Sequence, residues 1–178
     1  FEEILGVVEE SALRCKKIIQ SLLDFSRVAR GPFKYISLNE ITEKVISLIE
    51  HEVRAENIII QKQLPPDLPL ILGDSQLLQQ ALFNILADAR WAIQEKAKKQ
   101  GGLITIQAQY QREKDTVLLS ISDTGIGIPW ENLERIIVPF FTTKPVGKGV
   151  GLGLPLVYNI IKQHNGNIEV ESQIDKGT

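Results

Sequence analysis

Over the first 29 residues, Ile4, Val8, Ser11, Cys15, Ile18, Leu22 and Phe25 recur by alternating steps of four and three, while Glu2, Glu3, Glu9, Glu10, Lys16 and Lys17 fall mostly off that stripe. With no proline and no glycine after Gly6, this stretch is predicted to be one long helix carrying a heptad-like seam. Two arrangements cover such a seam: a two-helix hairpin that dimerises into a four-helix bundle, or a terminal helix packed on its own domain. Arg30-Gly31-Pro32 ends the helix and reads as a linker.

Beyond the linker the period changes. Phe33 to Ser37 reads as a short strand, and Ser37-Leu38-Asn39-Glu40 as a cap for a helix with Ile41, Val45, Leu48 and Ile49 on its inner face. The β-branched run Ile58-Ile59-Ile60 reads as a strand, Leu64 to Pro69 as a turn, and Leu70-Ile71-Leu72 as a brief strand. Asp74 or Ser75 caps a helix over residues 76 to about 98, whose core face is Leu78, Ala81, Leu82, Ile85, Leu86, Ala89 and Ile93. Two strands follow, Leu103 to Tyr110 and Val117 to Asp123, joined at Glu113-Lys114-Asp115 as an antiparallel hairpin. A helix from about Leu154 to His164 and an alternating strand, Ile168 to Ser172, complete the pattern. The expected fold is a two-layer α/β sandwich: one mixed, mostly antiparallel sheet of about four or five strands with three helices on one face.

Composition narrows the classes. A chain of 178 residues, 43% hydrophobic and 24% charged, suits one globular domain or one domain plus an appendage. A net charge of -2 gives no electrostatic case for nucleic acid or an anionic membrane surface. The single cysteine excludes an internal disulfide and four-cysteine zinc patterns; lying in the apolar stripe, Cys15 reads as a packed thiol. No apolar run approaches the ~18 residues of a membrane span. Starting at Phe1 without any methionine, the sequence reads as a piece of a longer polypeptide.

The candidate chemistry lies between Asp123 and Leu154. Asp123-Thr124-Gly125-Ile126-Gly127 opens where a strand meets a loop, and a carboxylate there either caps a turn or accepts a hydrogen bond from an exocyclic amine. Gly149-Val150-Gly151-Leu152-Gly153-Leu154 runs into a helix, bringing bare N–H groups and a positive helix end together, a setting suited to phosphates. Between them Thr142, Thr143, Lys144 and Lys148 lie on a loop long enough to serve as a lid. On the preceding helix, Asn84 and Asp88 are four residues apart and share a face. That spacing suits either a surface polar pair or two oxygen ligands for a hard cation. Trp91, one turn further, is placed to pack against either a nucleotide or a neighbouring helix.

In this order the motifs resemble those of sensor histidine kinases. Asp123 to Gly127 is similar to the first glycine box, Pro139-Phe140-Phe141-Thr142-Thr143-Lys144 to the F box, and Gly149 to Leu154 to the second glycine box. The run from Asp74 through Asn84, Asp88 and Ala89 to Ile93 resembles the N box, and residues 18–27 resemble the end of the second helix of the dimerisation and phosphoacceptor domain. The resemblance implies the histidine kinase ATPase-type (Bergerat) fold. It divides the chain into residues 1–30 of the dimerisation domain, a linker over 31–35, and a catalytic ATP-binding domain over 36–178 that lacks its last strand, leaving an uncovered sheet edge. In that domain Asp123 would read adenine, Gly125 and Gly127 would shape its pocket, and Thr178 would support the contact. Asn84 and Asp88 would hold Mg2+, Gly149, Gly151, Leu152 and Gly153 would cradle the phosphates of ATP or ADP, and Lys144 and Lys148 would neutralise charge during transfer. One departure stands out: the family has a second asparagine where this chain has Asp88, which adds negative charge beside a triphosphate.

The resemblance further implies phosphoryl transfer to a histidine and onward to an aspartate of a response regulator, with homodimerisation through the N-terminal helix of the full-length protein. Asparagine at position 84, where related gyrase-type ATPases carry a glutamate base, points to transfer rather than hydrolysis. His51 lies beyond the linker and His164 reads as a helix cap, so the acceptor is expected upstream of Phe1. The expected location is the cytoplasm, whether or not the full-length protein is anchored to a membrane. Alternatives from other classes are a kinase-like module that only binds protein, with Asp88 marking lost metal chemistry, and an ATPase of the same superfamily.

Overall fold

The computed structural model describes residues 32–96, 101–145 and 147–178, with isolated positions 6, 11, 12, 15, 16 and 19 before them. The predicted N-terminal helix, its seam and Arg30-Gly31 otherwise lie outside the described residues. Cys15, read as a packed thiol, is exposed in the single chain.

Among the described residues nine elements follow in order: β1 (Lys34–Ile36), α1 (Leu38–Ala55), β2 (Ile58–Gln63), β3 (Ile71–Gly73), α2 (Ser75–Lys96), β4 (Gly102–Gln111), β5 (Thr116–Asp123), a short α3 (Trp130–Leu133) and α4 (Gly153–Gln163). Local chemistry sets the helix starts as the sequence suggests. The Ser37 hydroxyl accepts from the Glu40 N–H at 3.3 Å, and the Asp74 carboxylate accepts from the Gln76 and Leu77 N–H groups at 2.8 and 3.2 Å. The single expected sheet is instead two. β1 and β3 form an antiparallel pair, while β2, β4 and β5 form a second sheet in that order, β2 parallel and β5 antiparallel to β4.

Helices α1, α2 and α4 cover the larger sheet with one core, in which Val45, Leu86, Ile104, Ile106 and Val157 are fully buried. Each such side chain contributes about 1.5–3 kcal/mol of burial. On α2 the apolar stripe read from sequence is the buried face, with Ile85 half-buried at its edge. Leu48, expected inside, is exposed; Thr42 is buried instead, its hydroxyl donating to the Leu38 carbonyl at 2.8 Å.

The strand expected at Ile168 to Ser172 is absent as a ladder. Exposure still alternates over 166–172, with Ile168 and Val170 half-buried and Glu169 and Glu171 exposed. What joins this segment to β5 is the chain end. Gln173 and Gly177 bridge across a tight turn, the Asp123 N–H donates to the Thr178 carbonyl at 2.8 Å, and the Thr178 and Ser172 hydroxyls are 2.9 Å apart. Thr178 thus sits between the end of β5 and Ser172, which accounts for the side-chain pattern of a strand without its backbone pairing. Among the described residues β5 has β4 as its strand partner, on one side.

Candidate nucleotide site

A cleft of about 2250 Å³ lies between α2, the loop after β5, the lid and the start of α4. Small-molecule sites are usually about 300–1,000 Å³, so the cleft joins a site of that kind to the groove along the open edge of β5. Its lining includes Asn84, Asp88, Trp91, Asp123, Gly127, Lys144, Lys148, Gly149, Gly151, Leu152, Gly153 and Thr178. Residues from four separated stretches of sequence therefore share one cavity.

Asp123 ends β5. Its carboxylate accepts from the Gly125 N–H at 2.7 Å, which folds the next two residues back over it. Burial pushes this carboxyl above the ordinary range, opposed by backbone hydrogen bonding from Gly125 and Thr178 and by the Lys96 cation. The following loop is fixed to α2 and to the 173–178 turn. The Ile126 N–H donates to the Ala92 carbonyl at 3.1 Å, the Asp175 N–H to the Ile126 carbonyl at 2.8 Å, and the Ile128 N–H to the Ser172 hydroxyl at 2.7 Å. Gly127 has φ +71°, and a Cβ there would stand 2.1 Å from the Gln173 carbonyl oxygen. Glycine is required on both counts. Gly125 packs on Ala92 and lies beside, rather than in, the cleft lining.

The lid is a loop with tied ends. The Phe140 N–H donates to the Gly151 carbonyl at 2.8 Å, and Gly151, at φ +71°, approaches the Phe141 carbonyl too closely for any Cβ. Lys144 reaches across to α2, its Nζ 2.5 Å from the Asp88 carboxylate and 4.9 Å from the Trp91 ring centroid. Lys148 is exposed on the lid and, among the described residues, makes no side-chain hydrogen bond or ion pair. Gly153 opens α4 with clear space in front of it: a Cβ there would meet only an Asp88 oxygen, at 3.6 Å.

One observation of this site bears on a divalent cation. The carboxylate of Asp88, at the foot of the glycine-bordered space, already pairs with a cation, the Lys144 ammonium. Asn84, one turn earlier, lines the same space and, among the described residues, has no side-chain hydrogen-bond partner. No cluster of three His, Cys, Asp or Glu occurs among the described residues, so an all-protein cage for a transition metal is not what this site offers.

Sequence reasoning missed Lys96, whose Nζ bonds the Thr124 carbonyl at 3.0 Å and the Asp175 carbonyl at 2.6 Å, clamping the loop beyond β5 to the chain end. Its only sequence signal was a basic residue in the last turn of a helix. His164 is settled by geometry. The Asp74 N–H donates to its Nε2 at 2.9 Å, its Nδ1 lies 2.7 Å from the Ile160 carbonyl, and the Phe33 ring stacks on it at 4.7 Å. Nε2 is thus the acceptor and Nδ1–H the donor, with both nitrogens engaged.

Residues 73–178 match the family described as "Histidine kinase-, DNA gyrase B-, and HSP90-like ATPase". The chain belongs to that family, as the catalytic ATP-binding domain of a sensor histidine kinase. It is 31% identical over 178 residues to Sporulation kinase C of Bacillus subtilis (strain 168), covering 99% of this chain and 40% of the relative. The catalytic domain of histidine kinase ThkA is 31% identical with a TM-score of 0.61, over 75% of this chain and 83% of that one. ThkA solved in complex with response regulator protein TrrA is 25% identical with a TM-score of 0.69, over 98% of this chain and 48% of that one. The chain spans less than half the length of the curated relatives it matches. Among the described residues, no helix is long and apolar enough to cross a membrane.

Proposed function

We propose that the complete protein transfers the γ-phosphoryl group of ATP to a histidine and relays it to an aspartate of a response regulator. The observation that carries the ATP site is the convergence of Asp123, Asn84 and Asp88 with the glycine-bordered start of α4 on one cleft. Asp123 accepts the hydrogen bond of the purine's exocyclic amine, Gly127 gives the ring its wall, Gly125 shapes the pocket from behind through its N–H to the Asp123 carboxylate, and Thr178 holds Asp123 through the backbone. The N–H groups of Gly149, Gly151, Leu152 and Gly153 face the phosphates, helped by the positive end of α4. Asn84 and Asp88 hold Mg2+, which when bound shields phosphate charge and orients the transferred group. Lys144 and Lys148 bring positive charge from the lid.

Asn84 cannot take a proton from water, which favours transfer over hydrolysis. Neither histidine of this sequence suits the acceptor role: both nitrogens of His164 are engaged, and His51 is exposed on α1 of the nucleotide-binding unit. The acceptor, in this reading, lies outside the present chain. In this reading residues 1–30 belong to a dimerisation domain, 31–35 to the linker and 36–178 to the catalytic domain. The partner class follows from the relatives, of which ThkA has been seen bound to a response regulator.

Titration with a fluorescent ATP analogue across Mg2+ concentrations tests the site. Asp88 puts a carboxylate beside the phosphates, so binding by the natural sequence depends on Mg2+ more steeply than binding by Asp88→Asn, by about tenfold, the weight of roughly one close charge pair. No binding at any Mg2+ concentration would instead support a module that only contacts protein. Acid-labile protein phosphate on an upstream-extended chain separates a kinase from an ATPase, which releases phosphate steadily.

A further inference from the structure

Lys144 is held by two contacts on α2, the wall opposite the lid, and by a third within the lid. Its Nζ lies 2.5 Å from the Asp88 carboxylate and 4.9 Å from the Trp91 ring centroid. Its stem runs against Gly149, where a Cβ would meet Lys144 Cβ and Cδ at 3.1 Å each. The Lys144 side chain is only 20% exposed as a result. The Trp91 indole Nε1 is buried and, among the described residues, has no hydrogen-bond partner, so what Trp91 offers this site is the face of its ring.

We infer that Trp91 is a positioning residue for the lid. With Asp88 and Gly149 it seats the Lys144 ammonium on the one carboxylate that the proposed metal site needs. This rests on the ATP-site reading above and deepens it. In the nucleotide-free protein Lys144 neutralises Asp88 and draws the lid onto α2. A divalent cation must displace it to reach Asp88, and the displaced lysine is then free to face the phosphates. One carboxylate thereby exchanges a protein cation for a metal cation, which couples lid release to metal binding.

Hydrogen exchange of the nucleotide-free protein tests the seat, comparing lid amides 140–144 and 148–152 in wild type, Trp91→Leu, Trp91→Phe and Lys144→Met. Trp91→Leu and Lys144→Met speed lid exchange about two- to fivefold, the range of one partly exposed ion pair or cation–π contact. Their combination is no faster than the faster single variant, Trp91→Phe stays near wild type, and amides of β4 and β5 are unchanged throughout. Equal lid exchange in all four proteins, or additive effects, overturns the inference. A second measurement, the Mg2+ concentration for half-maximal ADP binding, gives the sign. Lys144→Met lowers it about two- to fivefold because the metal no longer competes with an ammonium. An unchanged or higher value means that Lys144 serves only the phosphates and overturns the exchange. The first measurement contains no nucleotide, so its failure leaves the ATP site standing. A wild-type protein with the seat intact and no nucleotide binding would sink the ATP-site reading and, with it, the metal exchange.

Discussion

In the proposed site Asp123 has two opposed tasks. Accepting a hydrogen bond from an amine requires the carboxylate, yet burial raises its pKa and so disfavours that form, with Gly125, Thr178 and Lys96 holding the shift in check. The folded state consequently binds this proton more tightly than the unfolded chain does. Stability therefore rises as pH falls through the window between the raised folded value and the ordinary carboxylate value of 3.8, and levels off below it. Thermal unfolding of wild type and Asp123→Asn across this window checks the sign: wild type gains on the variant as the pH falls. A wild type that loses ground to Asp123→Asn on acidification would mean that the native state stabilises the charged form.

At the scale of elements, α2 and α4 organise the molecule, and each carries its role on a recognisable stripe. On α2 the apolar face from Leu78 to Ile93 and the polar face with Asn84 and Asp88 follow from the 3.6-residue period alone, so the burial and the shared cleft were both legible. The Lys144 contact was not, because 56 residues separate it from Asp88 and nothing in the lid's glycine and proline pattern says where its tip rests. The division into two sheets was also hidden. β1 and β3 are three residues each, too short to show a partner preference, and their position depends on α4 through His164. His164→Ala removes the acceptor of the Asp74 N–H and the ring under Phe33, at a cost of about 1–3 kcal/mol. Urea denaturation should show that loss with an unchanged m-value; a change below about 0.5 kcal/mol would mean the β1–β3 pair is held by other contacts. The strand expected over 168–172 failed for a different reason: period two records which side chains face inward, whereas a ladder needs a neighbouring backbone, and here Thr178 stands at the end of that gap.

For the whole molecule, the three-helix layer over β2, β4 and β5 supplies a rigid wall, and the lid and the loop after β5 close the other sides of the cleft. The cleft thus runs between the helix layer and the lid, where a nucleotide would lie. The fixed side carries Asp123, Asn84 and Asp88, whose geometry must persist without ligand, and the lid carries the lysines, whose positions need to change. The most direct measurement is a structure of the protein with Mg2+ and a non-hydrolysable ATP analogue. The account predicts the purine amine on the Asp123 carboxylate, the metal bound through Asn84 and Asp88, and the phosphates at the start of α4. Nucleotide bound elsewhere, or a purine that leaves Asp123 without contact, would contradict it.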